Sequence, residues 1–223
     1  MNLSASAVIV AAGRGKRMGD VDKSFIKLRG IPIIKYSFDC LYQYKYIKEI
    51  IIVMNKENID KGKELFKSYD VKIVLGGNTR AESAKQGVLQ AKEEFVLIHD
   101  AVRPFITPKL LSEIFFAIKD ADAVITGIPV KPTIKKINDD SFVEETLRRE
   151  KLVKVQTPEL FKRNVLLDAY EKYPLNDVTD EAMLIERMQR RVKVVKGLEE
   201  NIKITTPFDL ILMEGIINKW NRE

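Results

Sequence analysis

Val8 to Lys23 of this 223-residue chain reads VIVAAGRGKRMGDVDK. The apolar run at 7–12 is typical of a buried parallel strand, and it leads into a basic loop interrupted by glycine. Gly13 and Gly15 allow positive φ and let the backbone approach a ligand closely. The basic side chains of the loop are Arg14, Lys16, Arg17 and Lys23. Backbone N–H groups beside fixed positive charge favour an anion, and we expect a triphosphate here.

The loop differs from two common phosphate-binding motifs. The dinucleotide fingerprint requires a third glycine where this chain has Met18. The Walker motif requires a first glycine where this chain has Val10, and Ser or Thr where it has Arg17. The alternative interpretation is a solvated basic turn between a strand and a helix. A single glycine-rich loop is a weak signal, so this stretch alone leaves the alternative open.

Length and composition indicate one α/β domain over residues 1–223. With 45% hydrophobic and 31% charged residues, the chain can bury a sizeable core. It contains no apolar run near the ~20 residues that span a bilayer, and its first residues lack the basic segment of a signal peptide. The one cysteine, Cys40, cannot form an internal disulfide. We therefore expect a cytoplasmic protein without a membrane partner.

The charge of the chain favours small anionic partners. The net charge is +6, but Lys and Arg are interleaved with Glu and Asp along the chain. No zinc-finger spacing and no dominant basic helix appear, so phosphorylated small molecules fit better than nucleic acid. His99 is the only histidine, which excludes histidine-rich metal sites. We interpret His99 as a hydrogen-bonded packing residue rather than a catalyst.

Apolar runs alternate with helical patterns through the first part of the chain. The runs predict buried strands at 7–12, 49–54, 71–75, 95–98 and 123–127. The segments between them predict helices at 31–42, 55–69 with Asn55 as N-cap, 79–91 and 107–119. This alternation predicts a doubly wound, mostly parallel sheet. Ligands bind at the carboxyl ends of such strands, and the loops at Gly13, Gly76 and Asp100 all leave carboxyl ends.

The last part of the chain returns to mixed elements. Helices are predicted to open at Thr157-Pro158-Glu159 and at Thr179-Asp180-Glu181, because each stretch begins with a residue suited to capping. Short strands are predicted at 192–195 and 201–204. Thr206 and the residues after it predict the start of a last amphipathic helix that reaches Trp220.

Residues 130–156 interrupt the alternation and predict a protruding β-arm. Short alternating pieces at 133–137 and 141–147 are joined by Asn138-Asp139-Asp140, a favourable hairpin turn. The arm has too few apolar residues for a core of its own, and a two-stranded ribbon alone is marginal in water. We therefore expect it to pack on a partner subunit. The alternative is a surface hairpin that lies on its own domain.

The loops at the strand ends carry candidate nucleotide-binding residues. Asp100 can accept a hydrogen bond from a ribose hydroxyl or help to hold Mg²⁺. Gly76 and Gly77 leave room for a planar base, with the hydroxyl of Ser83 about one helical turn further on. The alternative for Thr79 and Ser83 is ordinary capping and helix polarity.

Arg17 and Lys23 are the candidate cations for a triphosphate. They lie six residues apart across the first loop, so an arginine fork and a mobile lysine could contact opposite sides of a triphosphate. The alternative is solvent-exposed charge, which is common on surfaces. Thr157 and Thr179 are similarly ambiguous, because each also suits an N-cap.

Seven motifs occur in order from one end of the chain to the other. They are Ala11-Ala12-Gly13-x-Gly15-x-Arg17-Met18, Lys23, Gly76-Gly77-x-x-Arg80-x-x-Ser83, His99-Asp100-Ala101-x-Arg103-Pro104, Thr157-Pro158-x-x-Phe161, Thr179-Asp180-Glu181-Ala182 and Asn201-Ile202-Lys203-Ile204-Thr205. Together they resemble the 2-C-methyl-D-erythritol 4-phosphate cytidylyltransferases. The combination is far more specific than any single motif.

The resemblance implies a fold and a reaction. The fold is a Rossmann-like nucleotidyltransferase sheet whose β-arm reaches across a homodimer and helps to complete the neighbour's site. CTP and 2-C-methyl-D-erythritol 4-phosphate give the 4-diphosphocytidyl alcohol and pyrophosphate, a step of non-mevalonate isoprenoid synthesis. The substrate phosphate attacks the α-phosphorus of CTP in line, with Mg²⁺ bridging the triphosphate.

The resemblance also implies residue roles. Arg17 and Lys23 match the pair that stabilises the transition state, and Asp100 takes the ribose and contributes to the metal site. The nucleotide-binding positions are Ala11, Ala12, Gly13, Arg14, Gly15, Gly77, Ser83, Asp100 and Ala101. The positions that match binding of the methylerythritol phosphate are Arg103, Thr133, Arg149, Thr157, Thr179 and Lys203.

The chain departs from the family pattern at two places and leaves two other functions open. It has Asp22-Lys23-Ser24 where Pro-Lys-Gln is frequent, and Thr157-Pro158-Glu159 where Thr-Pro-Gln is frequent. Whether Arg148 or Arg149 faces the substrate depends only on counting back from Thr157. A ribitol 5-phosphate cytidylyltransferase shares the fold and the CTP motifs. A non-catalytic nucleotide-binding regulator is the alternative from another class.

Overall fold

A seven-stranded sheet forms the centre of the residues that the computed structural model describes, 3–13 and 22–220. The strands in chain order are β1 (Ala5–Ala11), β2 (Lys27–Leu28), β3 (Ile31–Pro32), β4 (Ile47–Met54), β5 (Lys72–Leu75), β6 (Phe95–Asp100), β7 (Ala123–Pro129), β8 (Ile134–Ile137), β9 (Val143–Leu147), β10 (Val153–Lys162) and β11 (Val192–Lys196). The helices are α1 (Ile33–Tyr42), α2 (Ile59–Leu65), α3 (Arg80–Gln90), α4 (Pro108–Ala117), α5 (Arg163–Lys172), α6 (Ala182–Arg187) and α7 (Pro207–Trp220).

The sheet is mostly parallel, as the alternation of strands and helices predicts. Its order is β11-β7-β10-β6-β1-β4-β5. Strand β1 pairs in parallel with β4 and β6, and β5 and β11 are parallel to their neighbours. Strand β10 alone among these seven runs antiparallel, between β6 and β7. The prediction of an α/β sheet of this class is confirmed.

Helices cover both faces of the sheet because alternate side chains of its buried strands point to opposite faces. On one face Ile9 belongs to the cluster that includes Phe38 of α1 and Leu111 of α4. On the other face Val8 belongs to the cluster that includes Val88 of α3. Gly87 lets α3 approach the sheet closely, since an added Cβ would lie 2.3 Å from Val8 Cγ1. The fold is therefore doubly wound.

The segment at Thr157-Pro158-Glu159 is a strand, so the helix predicted to open there is wrong. These residues lie inside β10, and the next helix, α5, begins at Arg163. Pairing with β6 and β7 outweighs the local capping pattern, and Phe161 is fully buried. The register against β7 shifts between Gln156 and Leu160, which accommodates Pro158 and its missing N–H.

Two further local predictions are wrong. The segment 201–204 forms no strand; Ile204 N instead donates to Val102 O at 3.0 Å, and the Asn201 side chain donates to Thr157 O at 2.7 Å. Asn55 is not a helix cap, because a turn closed by Asn58 N and Asn55 O at 3.2 Å precedes α2. In both places contacts specific to the fold replace the pattern suggested by local sequence.

Strands β8 and β9 form the predicted hairpin arm. Its turn is closed by a bond from Ser141 N to Asn138 O at 3.0 Å, and Ser141 has a positive φ of 66°. Apolar side chains along the arm stay exposed, with Phe142 at 72% and Val143 at 60%. The arm's own domain therefore leaves these side chains uncovered. Packing of the arm on a partner stays a prediction.

Candidate functional site

A cleft of about 840 Å³ opens at the carboxyl ends of β1, β5 and β6. The sequence-predicted site residues that line it are Ala11, Ala12, Gly13, Lys23, Gly77, Ser83, Asp100 and Lys203. They come from segments far apart in sequence, which the parallel topology brings to one edge of the sheet. The cleft therefore lies at the strand ends where the sequence predicts the site.

The floor of the cleft beyond β5 is built from glycine. Gly76 N donates to Met54 O at 2.8 Å, which ties the loop to the end of β4. A Cβ on Gly76 would lie 2.6 Å from Ala12 Cβ and 2.7 Å from Ser83 Oγ, so this position excludes a side chain. Gly76 therefore lets the loop after β5 pack closely against Ala12 and Ser83 at the edge of the cleft.

Helix α3 begins in this floor with a full capping box. Thr79 Oγ1 accepts from Glu82 N at 3.1 Å, and the Glu82 carboxylate accepts from Thr79 N at 3.3 Å. The Ser83 hydroxyl donates to Thr79 O at 2.8 Å and accepts from Gly77 N at 3.1 Å. The capping interpretation of Thr79 is confirmed. Ser83 holds the Gly77 loop in place, and its contact with a base stays a prediction.

Asp100 is the acidic centre of the cleft. Arg80 Nε donates to its Oδ1 at 3.1 Å, Lys203 Nζ lies 2.7 Å from Oδ2, and Arg103 Nε lies 3.7 Å from the same oxygen. Burial by itself would raise the pKa of Asp100, but these three positive charges outweigh burial and hold the pKa far below its usual range. Asp100 is therefore ionised and offers only acceptor oxygens.

His99 lies directly before Asp100 and is fully buried. Its Nε2 lies 2.9 Å from Arg103 O, a carbonyl that can only accept, so Nε2 carries the proton. Nδ1 then accepts from the Thr157 hydroxyl at 3.1 Å. Burial lowers the pKa of His99 to about 4. The structure agrees with the interpretation of His99 as a hydrogen-bonded packing residue.

Lys23 and Lys203 both line the cleft. Lys23 begins a short 3-10 turn whose preceding Asp22 carboxylate accepts from Ser24 N at 3.3 Å. Lys23 Nζ donates to Thr205 O at 2.9 Å. Lys203 comes from the same loop as Thr205, so the loop before α7 positions both lysines.

The remaining predicted residues fall into three groups. Arg14, Gly15 and Arg17 lie outside the described residues. Ala101, Arg103 and Thr157 lie behind the cleft wall: Ala101 is buried, Arg103 Nη1 donates to Asn201 O at 2.9 Å, and Thr157 Oγ1 accepts from Asp100 N at 3.0 Å. Thr133, Arg149 and Thr179 are exposed and are not part of the described lining.

Arg149 lies at the base of the arm. Its Nη1 donates to Lys131 O at 2.7 Å, and its side chain stays half exposed. Thr179 precedes α6, where the Asp180 carboxylate rather than the threonine accepts from Met183 N at 3.1 Å. Substrate roles for Thr133, Arg149 and Thr179 stay predictions.

Arg80 is the functional side chain that sequence reasoning left without a role. Besides Asp100, it contacts Glu181, with Nη1 to Oε2 at 2.6 Å. The sequence contains one signal for Arg80. A positive charge in the first turn of a helix is unfavourable with the helix dipole, so Arg80 is expected to pair with an acidic residue elsewhere. That partner, Glu181, is 101 residues away, and only the fold reveals it.

The donor set of the cleft fits Mg²⁺ in one way. Among the described residues no group of three His, Cys, Asp or Glu side chains is placed to hold a metal ion. Mg²⁺ in nucleotide sites is commonly held by one or two carboxylates together with substrate phosphates. The ionised Asp100 at the cleft wall fits this mode of binding. The described residues do not form a site that would hold the ion with protein ligands alone.

The fold and the site together define a nucleotide-binding α/β protein. The sheet is doubly wound, and the cleft at its strand ends combines a glycine floor, two lysines and an ionised aspartate. Phosphate groups suit the lysines, and ribose hydroxyls suit the aspartate. Among the described residues, no helix is both long and apolar enough to cross a membrane.

Comparison with known proteins narrows this class. The family model of IspD, 2-C-methyl-D-erythritol 4-phosphate cytidylyltransferase, matches residues 5–219. The protein of that name from Dehalococcoides mccartyi is 38% identical over 98% of this chain and 98% of its own. That from Clostridioides difficile is 40% identical over 98% of this chain and 95% of its own.

A solved structure agrees with these relatives. The 4-diphosphocytidyl-2C-methyl-D-erythritol synthase from Anaerococcus prevotii superposes with a TM-score of 0.88 at 35% identity, over 97% of both chains. The chain belongs to the 2-C-methyl-D-erythritol 4-phosphate cytidylyltransferase family, and it is a nucleotidyltransferase enzyme of isoprenoid biosynthesis. The resemblance that the motifs carry is confirmed.

Proposed function

We propose that the cleft binds CTP and that cytidylyl transfer to 2-C-methyl-D-erythritol 4-phosphate takes place between Lys23 and Lys203. One observation carries the proposal: an ionised aspartate, two lysines and a glycine floor meet in one cleft at the strand ends. Asp100 supplies an acceptor for hydroxyl groups. Lys23 and Lys203, which come from distant parts of the chain, supply positive charge for phosphates.

The nucleoside is held by the inner part of the cleft. Asp100 is ionised, so its free lone pairs accept from the ribose hydroxyls, while Arg80 keeps the carboxylate in place at 3.1 Å. Gly77 and Ser83 border the glycine floor and contact the cytosine edge through the loop backbone. Ala11, Ala12 and Gly13 hold the start of the phosphate loop, with Arg14, Gly15 and Ala101 completing the proposed set.

Catalysis of this reaction depends on positioning the substrates and stabilising the negative charge of the transition state, and not on covalent bonds to the protein. The acceptor phosphate attacks the α-phosphorus of CTP in line, and pyrophosphate leaves. Lys23 and Arg17 stabilise the charge that accumulates on the phosphoryl oxygens. Asp100 would hold Mg²⁺ together with the substrate phosphates, and the ion when bound supplies further charge neutralisation.

The acceptor binds beside Lys203. Its phosphate pairs with the Lys203 amino group, and Thr179 contributes to the proposed pocket. Arg103 and Thr157 support this pocket from behind the cleft wall. We further propose a homodimer in which Thr133 and Arg149 of each arm serve the neighbouring subunit's site. The exposed apolar side chains of the arm support this assembly, because its own domain leaves them uncovered.

Residues 1–223 form one functional domain in this proposal. A cytoplasmic location remains part of it, since the single cysteine cannot form an internal disulfide. Of the acceptors that the sequence leaves open, the family match favours methylerythritol phosphate over ribitol 5-phosphate.

Pyrophosphate release tests the proposal with both acceptors in parallel. With CTP and Mg²⁺, we expect release with 2-C-methyl-D-erythritol 4-phosphate and none above background with ribitol 5-phosphate. Release only with ribitol 5-phosphate would keep the mechanism and overturn the acceptor. Silence with both acceptors would overturn the catalytic function and favour a nucleotide-binding regulator, which CTP binding by calorimetry would then reveal.

A further inference from the structure

A cluster of buried acids lies behind the wall of the cleft. Glu181, at the start of α6, and Glu159, in β10, are both fully buried. Arg80 connects this cluster to the cleft, since its Nη1 donates to Glu181 Oε2 at 2.6 Å and its Nε donates to Asp100 Oδ1 at 3.1 Å. Arg80 therefore lies between Asp100, which faces the cleft, and Glu181, which does not.

The second acid of this cluster has no visible hydrogen-bond partner. Among the described residues, neither carboxyl oxygen of Glu159 has a partner, and the same holds for Glu181 Oε1 and the buried hydroxyl of Tyr170. An ionised carboxylate that is buried without partners is very costly, so such a group takes up a proton instead. A protonated carboxyl also needs an acceptor. Glu181 Oε1 is an unpartnered buried oxygen, and Glu181 is the charged group that acts most strongly on Glu159.

The charges around Glu159 also favour its protonated form. Besides Glu181, the groups that act on it are Arg80, Asp180 and Asp100, and Glu159 in turn acts on Arg103. Burial first, and the negative charge of Glu181 second, raise the pKa of Glu159 well above its ordinary value. The positive charge of Arg80 opposes this shift without cancelling it. A second negative charge is therefore disfavoured at this place.

We propose that Glu159 is a neutral positioning residue that donates its proton to Glu181, forming a buried acid pair that fixes Arg80 against Asp100. The proposal rests on the role of Asp100 in nucleotide binding given above. With one proton between the two acids, Glu181 keeps a single charge for Arg80, and Arg80 keeps its second N–H for Asp100. If both acids were ionised, they would draw Arg80 away from Asp100.

The proton also makes the back of the cleft more positive by one charge than an ionised Glu159 would. A nucleotide triphosphate is highly anionic, so this difference favours CTP binding. The acid pair lies on the nucleotide side, with Arg80 and Asp100. We therefore expect it to affect the KM for CTP and to leave the KM for the acceptor almost unchanged.

Infrared spectroscopy tests the protonation directly. In heavy water at neutral pH, we expect a carbonyl band of a protonated carboxyl group in the wild-type enzyme and its loss in Glu159→Gln. Absence of such a band from the wild type, or its persistence in Glu159→Gln, would overturn the proposal. The wild-type spectrum needs no variant to fold.

Steady-state kinetics test the positioning role. Glu159→Gln keeps a neutral donor of the same shape, so its KM for CTP should stay within about threefold of wild type. Glu159→Leu removes the donor and should raise the KM for CTP about tenfold, with the KM for the acceptor within about twofold. Equal losses in both variants, or a rise in both KM values, would contradict a neutral positioning residue.

Asp100→Ala separates this inference from the proposed function. If Asp100→Ala leaves the KM for CTP unchanged, the assignment of Asp100 to nucleotide binding fails, whatever the infrared result. If Asp100→Ala raises that KM while Glu159→Leu does not, the nucleotide site stands and the acid pair is overturned.

Discussion

At the scale of single residues, His99 and Asp100 are neighbours in β6 whose pKa values shift for different reasons. Burial lowers the pKa of His99 to about 4, because the imidazolium would lose its hydration. Three nearby cations lower the pKa of Asp100, because they stabilise its carboxylate against the cost of burial. One residue is held neutral and the other ionised, which gives the cleft wall a fixed charge pattern near neutral pH.

The low pKa of His99 predicts a pH-dependent stability. Its unfolded pKa is near 6.5, so below that value the unfolded chain binds a proton that the folded chain refuses, and stability is lost as pH falls from about 6.5 to about 4. For this one group we expect the free energy of unfolding to fall by about 2 kcal/mol between about pH 7 and pH 5. Urea unfolding at both pH values measures it.

The matched control for His99 is His99→Gln, which keeps a donor for Arg103 O. Glu159 has a raised pKa and contributes in the opposite direction, so its stability term grows as pH falls. The difference between the wild-type and His99→Gln curves isolates the histidine. If the two curves are parallel, His99 is not held neutral in the fold.

Individual residues also show what sequence can and cannot reveal. Asp100 and Lys23 could be placed at the cleft from the strand pattern, because Asp100 ends β6 and Lys23 follows the loop after β1. Lys203 could be placed there only through the family resemblance, since its own segment is predicted as a strand. The bond between Arg80 and Glu181 could not be predicted, since a contact across 101 residues depends on how the sheet is ordered. The buried acids are missed for the same reason: a charged residue in a strand or at a helix start gives no local sign of a distant partner.

At the scale of elements, the start of α3 connects helix stability to the nucleotide site. Thr79→Ala removes the cap on Glu82 N and should lower the free energy of unfolding by about 1 kcal/mol. It should also raise the KM for CTP, because Ser83 joins this first turn to the Gly77 loop. Chemical denaturation and pyrophosphate-release kinetics measure the two effects.

Thr107→Ala is the matched control for this helix start. Thr107 caps α4 through Leu110 N at 3.1 Å, and it is not part of the described cleft lining. We expect a similar loss of stability with an unchanged KM for CTP. If both variants change that KM equally, the effect of Thr79→Ala is a general loss of stability and not a property of the site.

The β-arm carries the prediction of a dimer. Phe142 on the arm is 72% exposed, and Phe116 on α4 is exposed to the same extent, so the two aromatics form a matched pair. Phe142→Asp should convert a dimer into monomers at micromolar concentration, whereas Phe116→Asp should leave the dimer intact. Sedimentation velocity measures both. A monomeric wild type, or equal behaviour of the two variants, would contradict packing through the arm.

Elements differ in how far local sequence predicts them. The apolar runs identify β1, β4 and β6, because a strand buried on both faces must be apolar throughout. Strand β10 is not predicted, because Thr157-Pro158-Glu159 is typical of a helix start. This segment is a strand because it pairs with two antiparallel neighbours, β6 and β7. The hairpin of the arm is predicted correctly, since its turn residues act locally.

At the scale of the whole molecule, topology explains why the site could be located before its contacts were known. Parallel strands end at one edge of a sheet, so loops that follow separate apolar runs must meet there. The cleft lies at the predicted strand ends, and eight of the predicted site residues line it. What could not be predicted is the second layer behind that wall, where Thr157, His99 and the buried acids support Asp100.

The central claim is that Lys23 acts on the transition state of cytidylyl transfer in this cleft. The most direct test compares kcat for pyrophosphate release with the Kd for CTP in Lys23→Ala, using the exposed Lys27→Ala as control. We predict a fall in kcat of about a hundredfold or more with the Kd for CTP within about threefold, and a control close to wild type. A Lys23→Ala enzyme that keeps wild-type kcat would contradict the account.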